Sequence, residues 1–153
     1  MITCAHVDSI LLASKSKARD LGIAVCIVVM DSGGNLKALS RMDGAWLGCT
    51  DVALKKARTS VLFETETQNL AELCGPGGPV HGMELTNDGL ITFAGGVPVQ
   101  NRSGQLLGAI GVSGGMVDQD HEIARAGLAA IANAMGRINE QENSDDRSRI
   151  RSW

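Results

Sequence analysis

Tyrosine is absent from this 153-residue sequence, and Phe and Trp occur only twice each, so aromatics make up 3% of a chain that is 44% hydrophobic. The core must therefore be built from Ala, Val, Ile, Leu and Met, with close backbone approaches at some of the 19 glycines. The aromatic platforms on which single-stranded nucleic acid stacks are missing. A run of basic residues is missing too, and the net charge is −3, which excludes a phosphate-backbone footprint and with it a nucleic-acid partner. The longest apolar run, GIAVCIVVM (Gly22–Met30), falls far short of the roughly 20 residues of a membrane helix, so no membrane partner is expected. The first residues lack the basic start and continuous apolar block of a secretory leader. No C-x-x-C spacing links Cys4, Cys26, Cys49 and Cys74, which read as reduced thiols of a cytoplasmic protein.

What is present suits a single domain over residues 1–138, followed by a polar tail of mixed charge, 139–153, expected to be disordered. Thr3 is placed to cap a first helix with Val7, Ile10, Leu11, Ser14, Ala18 and Leu21 on one stripe, ended by Gly22. The β-branched run Ile23–Met30 reads as a buried strand. Asp31–Asn35 (DSGGN) is a tight turn, and Leu36–Met42 returns as its hairpin partner. Thr50 or Asp51 is expected to cap a second helix ending near Phe63. The Gly/Pro-rich stretch Gly75–Gly82 must be a loop. Residues 90–100 and 105–113 are expected strands joined by the turn Asn101–Gly104, and Asp118 or Asp120 caps a last helix. Hairpins rather than repeated βαβ units predict an α+β layer fold, with a largely antiparallel sheet of about five strands flanked by helices.

Gly111–Gly115 (GVSGG) matches the G-x-S-x-G nucleophile elbow of serine hydrolases. That chemistry needs a histidine and an orienting acid from later strands, and only the terminal helix and tail follow Ser113. Ser113 is therefore assigned to a Gly-rich strand-to-helix turn, and no catalytic triad is expected. Backbone N–H groups at Gly114 and Gly115 precede a helix N-terminus, which makes Ser113 and Gly114 candidates for holding an anionic group. Asp118 and Asp120 compete for the same donors.

In order along the chain, VVMDSGGNLKALSRMDGAWLG, ALKKARTS and AGGVPVQNRSGQLLGAIGVSGGMVDQDHEIARAG resemble the GlcG/HbpS-like haem-binding family. Its module also forms the C-terminal domain of PduO-type corrinoid adenosyltransferases. The resemblance extends from Thr3 to about Met135. It implies a profilin-like sandwich, homo-oligomers, and binding of haem or a related tetrapyrrole, accessory to a corrinoid-dependent pathway. Only two residues precede Thr3, so the ATP-binding adenosyltransferase domain, and enzymatic activity with it, is not expected.

Two chemistries remain open. Arg41 and Asp43 are two apart at a strand end, and Lys56 lies on the following helix. They form either a corner that takes the carboxylate of a small organic acid or a haem propionate, or a structural ion-pair cluster. Gly95, Gly96 and Pro98 are expected to line the same pocket, the glycines because a Cβ would block it, Pro98 as the mark of a sheet edge or bulge. For a haem iron the available protein ligands are His, Cys or Met. His6, at the end of the first helix's apolar stripe, is the leading axial candidate, with His81 and His121 behind it; the alternative for each is a capping or surface residue.

Overall fold

The computed structural model describes the backbone of residues 1–150 and the side chains of residues 1–132 and 135. Helix α1 (Cys4–Asp20) starts where the sequence places it. Thr3 Oγ1 accepts the His6 N–H at 3.2 Å, and His6 Nδ1 accepts the Thr3 N–H at 3.3 Å, a reciprocal capping box. Val7, Ile10, Ser14 and Ala18 form its buried stripe. Strand β1 (Cys26–Asp31) is buried at every residue but the last, as a β-branched central strand should be.

The hairpin to β2 (Leu36–Arg41) turns on one carboxylate. Asp31 Oδ1 accepts the N–H groups of Gly33 and Asn35, each at 2.9 Å. The Asn35 backbone donor in particular holds the Asp31 carboxyl below its ordinary range. A depressed folded-state value means that this contribution is present above the unfolded-state range and is lost as pH falls through the folded value. The protection of the Gly33 and Asn35 amides, taken relative to their intrinsic exchange rates, is therefore expected to fall on acidification, and Asp31→Ala should remove that protection at neutral pH as well.

Helix α2 (Cys49–Phe63) follows a turn, and then come a 3-10 turn (Thr67–Leu70), the short α3 (Ala71–Cys74) and a second 3-10 turn (Met83–Leu85). Strands β3 (Gly96–Gln100) and β4 (Leu106–Ser113) lead to α4 (Val117–Ile150). The sheet is antiparallel with order β2-β1-β4-β3. Ile27, Val29, Ile110, Val112, Val97 and Val99 face α1 and α4, where they meet Val7, Ile10, Ile123 and Ile131. Cys26, Val28, Met30 and Ala109 face α2 through Ala53, Ala57 and Val61. Helices thus cover both faces of an α+β sandwich.

Several expectations need correction. The sheet has four strands, not about five. Residues 90–95 are not strand, because their backbone groups are taken by side chains: Thr59 Oγ1 accepts the Ile91 N–H, and Thr67 Oγ1 donates to the Phe93 carbonyl. Neither Thr50 nor Asp51 caps α2; its N-cap is Gly48, Thr50 Oγ1 lies 3.5 Å from Cys26 Sγ, and Asp51 sits in the first turn. The tail expected from residue 139 to 153 lies outside the residues whose side chains are described, although α4 is continuous to Ile150.

Candidate functional site

Lys56 projects from α2 toward the end of the sheet where β4 stops and β3 starts. Its side chain is 0% exposed, and Nζ donates to Asp120 Oδ2 at 2.9 Å and to the Val112 carbonyl at 2.8 Å. The Phe93 ring lies over the ammonium, 5.1 Å from Nζ to centroid. Burial draws Lys56 below its ordinary value and Asp120 above its own, in each case against the pull of the partner charge. The glycines of A-G-G-V-P make room for this amine. Gly95 has φ +122, which L side chains rarely adopt, and a Cβ there would lie 2.5 Å from Lys56 Nζ. A Cβ on Gly96 would lie 2.6 Å from the Lys56 carbonyl and 2.5 Å from Thr67 Cγ2.

The anion seat ahead of α4 is filled by the chain itself. Gly115 N–H donates to Asp120 Oδ1 at 2.8 Å, and Met116 N–H to Gln119 Oε1 at 2.9 Å. Asp120 therefore joins the turn after Ser113 to Lys56, a role that a cap reading of Asp118 or Asp120 only half captures. Ser113 is buried at the end of β4, and Gly114 has φ +140. Glu66, beside this cluster, pairs with Arg125 and lies 3.8 Å from His121 Nε2.

Lys56, Gly95, Gly96, Ser113 and Gly114 are thus brought together, but Arg41 and Asp43 are not part of the group. Arg41 pairs with Cys26, which pairs with Ser113, so Arg41 lies three strand spacings, about 14 Å, from the β3 side. Arg41 and Asp43 are both exposed, and neither enters an ion pair among the described residues. The single corner of Arg41, Asp43 and Lys56 is not assembled within one copy: Lys56 is buried on Asp120 and the Val112 carbonyl of β4, whereas Arg41 and Asp43 are exposed at the end of β2, with β1 between the two strands. Pro98 lies on the edge strand β3, opposite Ala109 and next to a bulge at Val99/Gln100, as its missing N–H requires.

The histidines also resolve. His6 is buried, and its Nδ1 accepts the Thr3 backbone N–H, the capping arrangement that was the alternative to iron ligation. His81 Nδ1 lies 2.9 Å from the Cys74 carbonyl. No group of three or more His, Cys, Asp or Glu among the described residues is arranged to hold a metal ion. A groove of about 310 Å³ opens between α1 and β2, lined by Cys4, Val7, Asp8, Leu11, Leu36, Lys37 and Ala38. The sequence reading missed it, because its two walls are far apart in the chain and only the exposed Cys4 and Leu36 mark them.

The family model described as haem degrading protein HbpS-like matches residues 2–129. The chain belongs to the HbpS-like family. Among relatives of this HbpS-like chain, an uncharacterized 15.0 kDa protein of the dhaT-dhaS intergenic region of Citrobacter freundii is 36% identical over 128 residues, 83% of this chain and 89% of that one. The corrinoid adenosyltransferase PduO of the same organism is 38% identical over 120 residues, 78% of this chain but 36% of PduO, so the likeness spans about a third of that protein. A solved PduOC–haem complex superposes with a TM-score of 0.80 at 33% identity, covering 85% of this chain and 94% of the other. The HbpS-like fold and the family resemblance read from the motifs both stand. No helix of the described residues is long and apolar enough to cross a membrane.

Proposed function

We propose that this chain binds haem or a related tetrapyrrole as a homo-oligomer, in a cytoplasmic, non-enzymatic role accessory to a corrinoid-dependent pathway. The observation that carries the reading is its likeness to the PduOC–haem complex over 85% of its length. Its own residues fit such a ligand at the groove between α1 and β2. Val7, Leu11, Leu36 and Ala38 offer apolar walls, Lys37 a cation for a propionate, and Cys4 an exposed soft donor of the kind iron accepts. Bound haem would supply a redox-active iron. The groove's volume is at the small end for ligand sites, which suits a ligand held at the surface and shared with a neighbouring subunit. The four free cysteines are in keeping with a reducing compartment.

Haemin titrated into the full chain is expected to give a Soret band that saturates at one equivalent per subunit. Absorbance that grows linearly without saturation would sink the reading. The organic-acid alternative loses its support, because the Arg41/Asp43/Lys56 corner on which it depended is not assembled.

A further inference from the structure

We infer that the Asp43–Gly44 peptide is a site of covalent self-modification, at which the turn after β2 isomerises to an L-isoaspartyl linkage. The product carries a free α-carboxylate on an exposed turn, a group that carboxyl methyltransferases esterify with S-adenosylmethionine. The sequence contains two Asp–Gly pairs, Asp43–Gly44 and Asp88–Gly89, and the fold sets them in different conditions. The inference is independent of the ligand reading above.

The step needs no reactant but water. The Gly44 amide nitrogen attacks the Asp43 side-chain carbon Cγ, and the amide proton leaves with the carboxyl hydroxyl as water, closing a succinimide ring. Water then opens the ring at either carbonyl. Opening at Cγ restores aspartate. Opening at the main-chain carbon leaves the chain running through Cβ and Cγ, with a new α-carboxylate beside it. Closure therefore requires an uncommitted carboxyl, an amide nitrogen free to turn toward it, and a following residue without a Cβ to block the approach.

Asp43 and Gly44 meet all three conditions. Both are exposed, and no hydrogen bond or ion pair among the described residues takes the Asp43 carboxylate or the Gly44 N–H. One backbone bond, from the Ala45 N–H to the Met42 carbonyl at 3.1 Å, closes the turn. A Cβ on Gly44 would meet nothing nearer than Ala24 Cβ at 3.9 Å, so the peptide has room to swing. Asp88 is exposed too, but its backbone is not free. The Gly89 N–H donates to the Thr86 carbonyl at 2.9 Å, and the Leu90 N–H to the Glu84 carbonyl at 2.8 Å. Arg58 holds the Asn87 carbonyl on the other side, and Leu90 is buried. Turning Gly89 toward the Asp88 carboxyl must first break into that set of bonds. Asp31 is excluded on other grounds: its carboxylate is committed to the Gly33 and Asn35 N–H groups, and Ser32 rather than glycine follows it.

Ageing the full chain in neutral buffer, followed by tryptic mapping, tests the assignment. The peptide Met42–Lys55 is expected to split into isomers of equal mass, preceded by a succinimide form lighter by one water. An isoaspartyl methyltransferase supplied with tritiated S-adenosylmethionine should label it. The peptide Thr59–Arg102, which holds Asp88, should change at least about tenfold more slowly, because hydrogen bonds must open before its ring can close. In concentrated urea the two rates should converge, since the fold is what separates them. Asp43→Glu, whose longer side chain would have to close a larger ring, should abolish labelling of the folded chain. Equal rates in the folded chain, faster change at Asp88, a contrast that survives urea, or label that persists in Asp43→Glu would each overturn the assignment. So would a Met42–Lys55 peptide that stays unchanged in the folded chain after the same peptide has reacted in urea.

Discussion

Lys56→Ala is expected to lower stability by about 3–5 kcal/mol, the range for stripping one partner from a buried ion pair, and so to lower the melting temperature by roughly 10 °C in a domain of this size. The substitution leaves the Asp120 carboxylate, 3% exposed, with only backbone donors, and it orphans the Val112 carbonyl that Nζ now satisfies. A double variant, Lys56→Met with Asp120→Leu, should lose less than the single one, because no lone charge remains in the interior. The pH dependence has a definite sign. Asp120 is already raised by burial, and removing the cation raises it further. A raised folded-state value makes the carboxyl's contribution fullest at low pH and diminishes it as pH rises. The gap between Lys56→Ala and the unmodified protein in urea unfolding should therefore narrow on acidification. A variant that unfolds normally but fails to bind haemin would instead make Lys56 a ligand-binding group.

Gly111→Ala should also destabilise, by about 3 kcal/mol, the upper end for overpacking a core. Alanine ordinarily improves a strand over glycine, so the adverse sign is diagnostic. A Cβ at Gly111 would lie 2.1 Å from the Ala53 carbonyl oxygen and 2.6 Å from the Ala57 nitrogen, both in the α2 backbone. A backbone cannot rotate aside as a side chain can, so α2 would have to lift from β4 and from the Cys26–Val28–Ala109 patch it covers. Gly48→Ala, at the other end of the connection to α2, meets nothing within 4 Å and should change stability by no more than about 0.5 kcal/mol. Thermal unfolding of the two variants side by side separates contact from composition.

The features legible in the sequence were those whose signals are local. Thr3 and Gly22 bracket α1, Asp31–Asn35 turns the first hairpin, and Pro98 marks an edge, because each depends on its near neighbours alone. The partner of Lys56 was not legible. Asp120 lies 64 residues away and reads locally as a helix cap, which it half is. LITFA was read as strand because its side chains have strand propensity, whereas the threonines that capture its backbone come from α2 and the 3-10 turn after it. Arg41 was grouped with Lys56 on nearness in sequence, and the insertion of β1 between β2 and the β4 strand that Lys56 bonds is a topological fact that no spacing reveals.

The strand order also bears on how the chain comes to be folded. The two central strands, β1 (Cys26–Asp31) and β4 (Leu106–Ser113), are partners across most of the sequence. The β1–β2 hairpin is the first strand pair to leave the ribosome, and at that stage it has neither its second strand neighbour nor the α4 surface on which α1 rests. During synthesis the Cys26–Met30 segment, buried on both faces in the finished protein, must wait exposed until the residues of β4 and the start of α4 have left the ribosome. Its late closure makes the folding rate a matter of chain topology rather than of helix propensity. It also makes the nascent β1, more than any surface of the native protein, the segment most in need of shielding by a chaperone.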